Sequence, residues 1–130
     1  MTNTISLSTA TYRPSPADIT AGSVILTLTA TGNAPCANAT STKTLTITKL
    51  PTATLNYAGA PFCKTLVTGQ LVTLTGTGAY TGGTFTAPGG LTINSSTGDI
   101  TPSTSTAGTY TVTYTIPAAG GCAAVSVTKS

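Results

Sequence analysis

The feature that most constrains this chain is a strict two-residue alternation, clearest in Thr109-Tyr110-Thr111-Val112-Thr113-Tyr114-Thr115-Ile116. Successive side chains of a strand point to opposite faces, so Tyr110, Val112, Tyr114 and Ile116 share one side and four threonines share the other. One side suits a core and the other suits water, as in antiparallel sheets. Val24, Leu26 and Leu28 alternate in the same way, as do Leu45 with Ile47 and Val72 with Leu74. No segment shows the three-to-four-residue spacing of an amphipathic helix. Between the runs stand turn signals: Thr31-Gly32-Asn33, Gly82-Gly83, Pro88-Gly89-Gly90, Ser96-Thr97-Gly98-Asp99 and Gly120-Gly121. Short strands separated by Gly/Pro turns predict an all-β sandwich or barrel.

Composition narrows the function classes. About a quarter of the residues are threonine, whose β-branch fits a pleated surface. Charged residues make up 5%, against a norm of roughly 25%. Disorder requires low hydrophobicity together with high net charge, and 39% of this chain is apolar. The formal charge of +3 comes from Arg13, Lys43, Lys49, Lys64 and Lys129 against Asp18 and Asp99. These cations are dispersed and lack interleaved stacking aromatics, which argues against a nucleic-acid partner. No run reaches the roughly 18 apolar residues of a membrane helix, so membrane insertion is not expected. The N-terminus has neither the basic region nor the apolar run of an export signal. Three cysteines in glycine-rich settings nevertheless point to an oxidising compartment. The chain is therefore expected to be an internal excerpt of a longer, exported polypeptide.

A comparison of the chain with itself organises it. Leu26 to Lys49 reads strand, Gly-containing turn, Cys36, small residues, strand; Val112 to Lys129 repeats that order around Cys122. Placing Cys36 on Cys122 brings Lys43 onto Lys129. The first copy then continues with Thr44-Leu45-Thr46-Ile47-Thr48, read as a last strand, whereas the second stops at Ser130. The expected organisation is the C-terminal half of one domain over 1–50 and, over 51–130, a nearly complete second domain lacking its last strand. Leu50-Pro51 marks the junction, because proline cannot donate to a central ladder.

Residues 84–116 carry Gly90-Leu91-Thr92-Ile93, Thr97-Gly98-Asp99-Ile100-Thr101 and Ala107-Gly108-Thr109-Tyr110-Thr111-Val112. This pattern resembles the bacterial Ig-like repeats with a "GLxI…TGxI…AGTYTVT" signature. Ala10-Thr11-Tyr12-Arg13-Pro14, with Ala17-Asp18-Ile19-Thr20-Ala21-Gly22-Ser23-Val24 and Leu26-Thr27-Leu28-Thr29, is similar to another such repeat. Such repeats are typical of giant surface adhesins of the Bacteroidetes, including gliding-motility proteins exported by the type IX system. The resemblance implies antiparallel, Greek-key Ig-like sandwiches in an extracellular or cell-surface protein. Adjacent repeats of the same polypeptide are the implied partners.

Four residues stand out as candidates. Tyr110 follows Ala107-Gly108-Thr109 at a spacing that suits a tyrosine corner, in which a buried ring ties its hydroxyl to upstream backbone; the alternative is a ligand-stacking ring. Cys63 and Cys122 bracket the second domain. A disulfide between them closes a loop of about 60 residues and stabilises by roughly 4 kcal/mol in the chain-entropy model. Metal ligation or reactive thiols compete with this reading, but three cysteines without histidine or Cys-x-x-Cys spacing make a poor zinc site. Cys36 is the odd one, either unpaired or bonded between repeats or molecules.

No catalytic or cofactor-binding constellation emerges. Asp18 and Asp99 lack a partner acid or a histidine, the lysines share no motif, and two carboxylates are too few for a calcium linker. Asp99, in a Thr-Gly-Asp turn, is expected to make an Asx-type bond to backbone. Asn38-Ala39-Thr40 and Asn94-Ser95-Ser96 fit the N-glycosylation pattern, which the bacterial source implied by the resemblance makes a coincidence. Two non-enzymatic functions remain. One is a stalk or filament that carries a distal binding region. The other is a module that binds carbohydrate, ice or mineral through Thr-rich strand faces. Ragged domain ends also leave sheet edges bare, so copies are expected either to continue in one polypeptide or to polymerise by strand donation.

Overall fold

The structure is a computed structural model and describes residues 11–130. Strands in antiparallel sheets dominate it, and the chain divides after Lys49 into two compact units. Both units owe their strands to the same alternation of threonine with branched or aromatic residues.

In the first unit a short helix, α1 (Pro16–Ala21), precedes a hairpin of β1 (Ser23–Ala30) and β2 (Ala39–Thr46). Helix α1 departs from the all-strand reading, and its local chemistry explains it. The Ser15 hydroxyl accepts from the Asp18 amide at 3.2 Å, and the Asp18 carboxylate accepts from the Ser15 amide at 2.9 Å. This reciprocal capping box satisfies amides that a helix start leaves bare. Pro16 supplies the preset φ of a first turn, and Gly22 closes the helix in the left-handed conformation at φ 75°. The Ser15 hydroxyl and amide donors hold the Asp18 carboxyl below the usual carboxylate range.

The second unit is built from β3 (Thr52–Tyr57), β4 (Val72–Thr77), β5 (Thr84–Thr86), β6 (Val112–Ile116) and β7 (Val125–Lys129). Strands β3 and β4 form one antiparallel pair, and β5-β6-β7 form a second antiparallel sheet. Strand β3 reads exposed-buried along its whole length, with Ala53, Leu55 and Tyr57 inward. On β6, Val112, Tyr114 and Ile116 are buried. These six side chains, with Phe85 and Ile100, form one core, in the manner of two sheets closed face to face. Outward threonines pair across the strands: Thr52 with Thr77 at 2.7 Å and Thr54 with Thr75 at 2.6 Å. Neutral hydroxyl ladders thus give these faces polarity without ionic charge.

The two hairpins have one register. Leu26 faces Lys43 in β1–β2, and Val112 faces Lys129 in β6–β7, so a single offset of 86 residues carries each partner onto its counterpart. The same offset carries Pro16, the first residue of α1, onto Pro102, the first residue of a 3-10 turn over Pro102–Thr104. The structure also corrects one reading of the sequence. Thr44–Thr46 are the end of β2 rather than a separate last strand, and β7 is the beginning of the equivalent strand in the second unit. By the 86-residue offset, β7 is equivalent to the first five residues of β2.

Candidate functional site

Tyr110 lies just ahead of β6, where the chain leaves the 3-10 turn. Its hydroxyl donates to the Thr106 carbonyl at 2.8 Å. Gly90 and Gly108 lie against the ring, and a Cβ at Gly90 would come within 2.6 Å of the Tyr110 hydroxyl. The ring is half-buried and lines a cleft of about 650 Å³ at one end of the second unit. Phe62, Lys64, Val112, Lys129 and Ser130 share that cleft. Its inner wall is apolar, from Tyr57, Ile100 and Val112, while the two lysines stand at its polar boundary.

Two further tyrosines anchor this unit, and periodicity gave no hint of what their hydroxyls meet. Tyr57 donates to the Gly98 carbonyl at 2.7 Å. Burial, reinforced by the Asp99 carboxylate, pushes the Tyr57 phenol up to about 12. Tyr114, only 1% exposed, donates to the Tyr80 carbonyl at 2.9 Å and accepts from the Gly83 amide at 2.8 Å. Its ring packs on Phe85 with centroids 4.5 Å apart.

The cysteines are not arranged as the sequence led us to expect. No disulfide joins Cys63 to Cys122. Cys63 sits between Phe62 and Lys64, cleft residues at the Val112–Lys129 end of the β6–β7 hairpin. Cys122 lies in the loop that closes the hairpin's opposite end, beyond Ile116 and Val125, where its amide bonds to the Ala119 carbonyl. Four residues of strand, about 13 Å, separate Val112 from Ile116. Cys63 is exposed, and the Thr65 hydroxyl donates to its sulfur at 3.1 Å. That hydrogen bond lowers the Cys63 thiol pKa below its ordinary value. Cys36 is exposed in the β1–β2 loop, the 86-residue counterpart of Cys122.

The carboxylates are likewise dispersed. Asp18 serves the cap of α1. In the 94–99 turn the Asx role falls to Asn94, whose side-chain oxygen accepts from Ser96 and Thr97 amides at 2.9 and 3.1 Å. Asp99, expected in that role, instead takes part through its backbone carbonyl, which accepts from the Asn94 amide. Among the described residues no three His, Cys, Asp or Glu side chains gather as metal ligands, and no helix is long and apolar enough to cross a membrane.

What this end of the second unit offers chemically is an apolar slot edged by backbone and two ammonium groups. No family model, no curated protein and no solved structure matches the chain.

Proposed function

We propose that this chain is a non-enzymatic stretch of the shaft of an extracellular bacterial adhesin or filament. In this reading it consists of tandem Ig-like Greek-key sandwiches, as in the surface proteins its motifs resemble. One observation carries the reading. An offset of 86 residues superposes helical turn on helical turn and hairpin on hairpin in the same register. Tandem repetition of one unit adds length to a chain rather than chemistry. The outer hydroxyl ladders support it, because they keep each strand soluble without charge that would repel a neighbour. Adjacent repeats of the same polypeptide are the primary partners, and other copies join by donated strands.

The test is mechanical. Stretched by its ends, the full chain should show a cooperative unfolding event for Leu50–Ser130, with a contour gain of about 28 nm at roughly 3.5 Å per residue. Extension without a resolved event would count against a load-bearing shaft. A second reading is direct binding of ice, mineral or carbohydrate, and it takes support from the cross-strand threonine rows. Those rows lie on a two-stranded sheet, and such ribbons twist strongly. Inhibition of ice recrystallisation, or retention on a glycan array, by the full chain would favour that alternative over the shaft.

A further inference from the structure

We infer that Cys63 is one half of a disulfide cross-link between successive repeats. Its partner is the hairpin-loop cysteine of the unit that follows, the position held by Cys36 in the first unit and by Cys122 in the second. The tandem order rests on the shaft reading above, whereas the placement of the two kinds of thiol rests on the geometry of one unit.

The second unit has a direction. Strand β3 packs beside β7, and Asn56 and Tyr57 at the end of β3 share the cleft with Lys129 at the end of β7, so the two strands run the same way. The chain therefore enters the unit where the loop of Cys122 closes the β6–β7 hairpin, and it leaves at the cleft end. Cys63 belongs to the exit end. The Leu66 amide donates to the Cys63 carbonyl at 3.1 Å and the Ser103 amide to the Leu66 carbonyl at 3.0 Å, which ties the Cys63 turn to the 3-10 turn beside the cleft. Cys36 repeats the place of Cys122, because β2 runs from the Cys36 loop toward Lys49, where the chain leaves the first unit. The first unit's counterpart of Cys63 falls ahead of residue 1, so this chain holds two thiols of the entry kind and one of the exit kind. A period of 86 residues follows every exit end with an entry end, and each junction receives one thiol of each kind.

The two thiols differ as a cross-link requires. Cys63 is exposed, and the Thr65 hydroxyl that donates to its sulfur at 3.1 Å favours the thiolate, the attacking form. Ala118–Gly121 and Ala123-Ala124, around Cys122, carry nothing larger than a methyl group. Another backbone can thus approach that loop as closely as a disulfide demands. The oxidant is a small-molecule disulfide such as oxidised glutathione. The Cys63 thiolate attacks one of its sulfurs and expels a thiolate, which takes up the proton that Cys63 lost. The loop cysteine, deprotonated in turn, attacks the Cys63 sulfur and expels the second thiolate. Two protein thiols become one disulfide, and the small disulfide becomes two thiols. The chain between the two sulfurs is then closed into a loop that bears no load, so a stretched array releases less length.

The experiment continues the full chain after Ser130 with a second copy of residues 45–130, in step with the period. In one version the only cysteines are Cys63 of the original unit and the Cys122 of the added copy. In the mirror version they are the original Cys122 and the Cys63 of the added copy; serine replaces the others in both. Each version is equilibrated at high dilution with reduced and oxidised glutathione, and mass spectrometry of the unreduced protein measures the monomeric disulfide. The first version should form it at least about tenfold more readily, because only there do the thiols meet at a junction. It should do so although its loop spans about 145 residues against about 27 in the mirror version, and in urea the order should reverse, since the shorter loop closes at lower entropic cost. Equal or greater yield in the folded mirror version, or no monomeric disulfide in the first, would overturn the inference. The stretching experiment uses the chain without the added copy, so the cross-link and the shaft fail separately.

Discussion

Replacing Tyr114 by phenylalanine isolates the polar half of the most buried side chain in the second unit. The ring stays, with its packing on Phe85 at 4.5 Å, so no cavity larger than a hydroxyl opens. What is lost is a hydrogen bond to the Tyr80 carbonyl and another from the Gly83 amide. Each bond contributes about 1 kcal/mol net, and a partner left dry costs somewhat more. The sum is about 2–3 kcal/mol, a large share of the 5–15 kcal/mol typical of a domain. Urea unfolding of the full chain followed by far-ultraviolet circular dichroism reads this directly. With a slope of about 1 kcal/mol/M for a unit this small, the midpoint of Tyr114→Phe should fall by about 2 M at unchanged slope. A shift below about 0.5 M would mean that water already satisfies both backbone groups, and the reasoning about this anchor would be refuted.

Other outcomes follow from the same geometry. Tyr57 holds its proton more tightly folded than unfolded, so its contribution is complete below pH 10 and is lost as pH rises toward about 12. The rise is worth about 2.7 kcal/mol in full, and screening by solvent in the adjoining cleft reduces this to about 1–2 kcal/mol. Urea midpoints at pH 9 and pH 11.5 should differ accordingly in the wild type and lose that difference in Tyr57→Phe. Gly98→Ala should cost at least about 2 kcal/mol, because at φ 78° its Cβ would stand 2.7 Å from Val72 Cγ1 and 2.8 Å from Phe85; a midpoint like that of wild type would refute this. Thr65→Ala should slow iodoacetamide labelling of Cys63 at pH 7 by raising the thiol pKa, with labelling at pH 10 unchanged. Oxidation of the chain at high dilution should yield no peptide linking Cys63 to Cys122 in mass spectra.

Period-two patterning was legible because a strand exposes its faces in sequence order. Val112, Tyr114 and Ile116 are buried where the alternation placed them, and antiparallel sheets dominate. Other features depend on information that a periodicity does not hold. The Cys63–Cys122 reading considered the length of the enclosed loop, yet strand direction decides which end of a hairpin a loop occupies. Helix α1 escaped because six residues are too few to show a helical period, although Ser15, Pro16, Asp18 and Gly22 spell its caps. Leu28 has the alternation of a core residue and is 53% exposed. Its counterpart Tyr114 is buried against Phe85, a contact supplied by a segment 29 residues upstream of it in sequence. Asn94 took the Asx bonds expected of Asp99 because the carbonyl oxygen of an amide at the turn's first position faces two free amides. The cleft has no local pattern in sequence, since its lining comes from residues 56–64, 91, 100–112 and 129–130.

The central claim is that β1–β2 and β6–β7 are one structure written twice, and cross-strand nuclear Overhauser effects test it most directly. The shared register makes Thr27–Thr42 and Thr113–Thr128 the close, non-hydrogen-bonded pairs, so strong Hα–Hα cross-peaks are expected for both. Cross-peaks from Thr113 to Ser126 instead, with Thr27 still facing Thr42, would show two different hairpins and contradict the account.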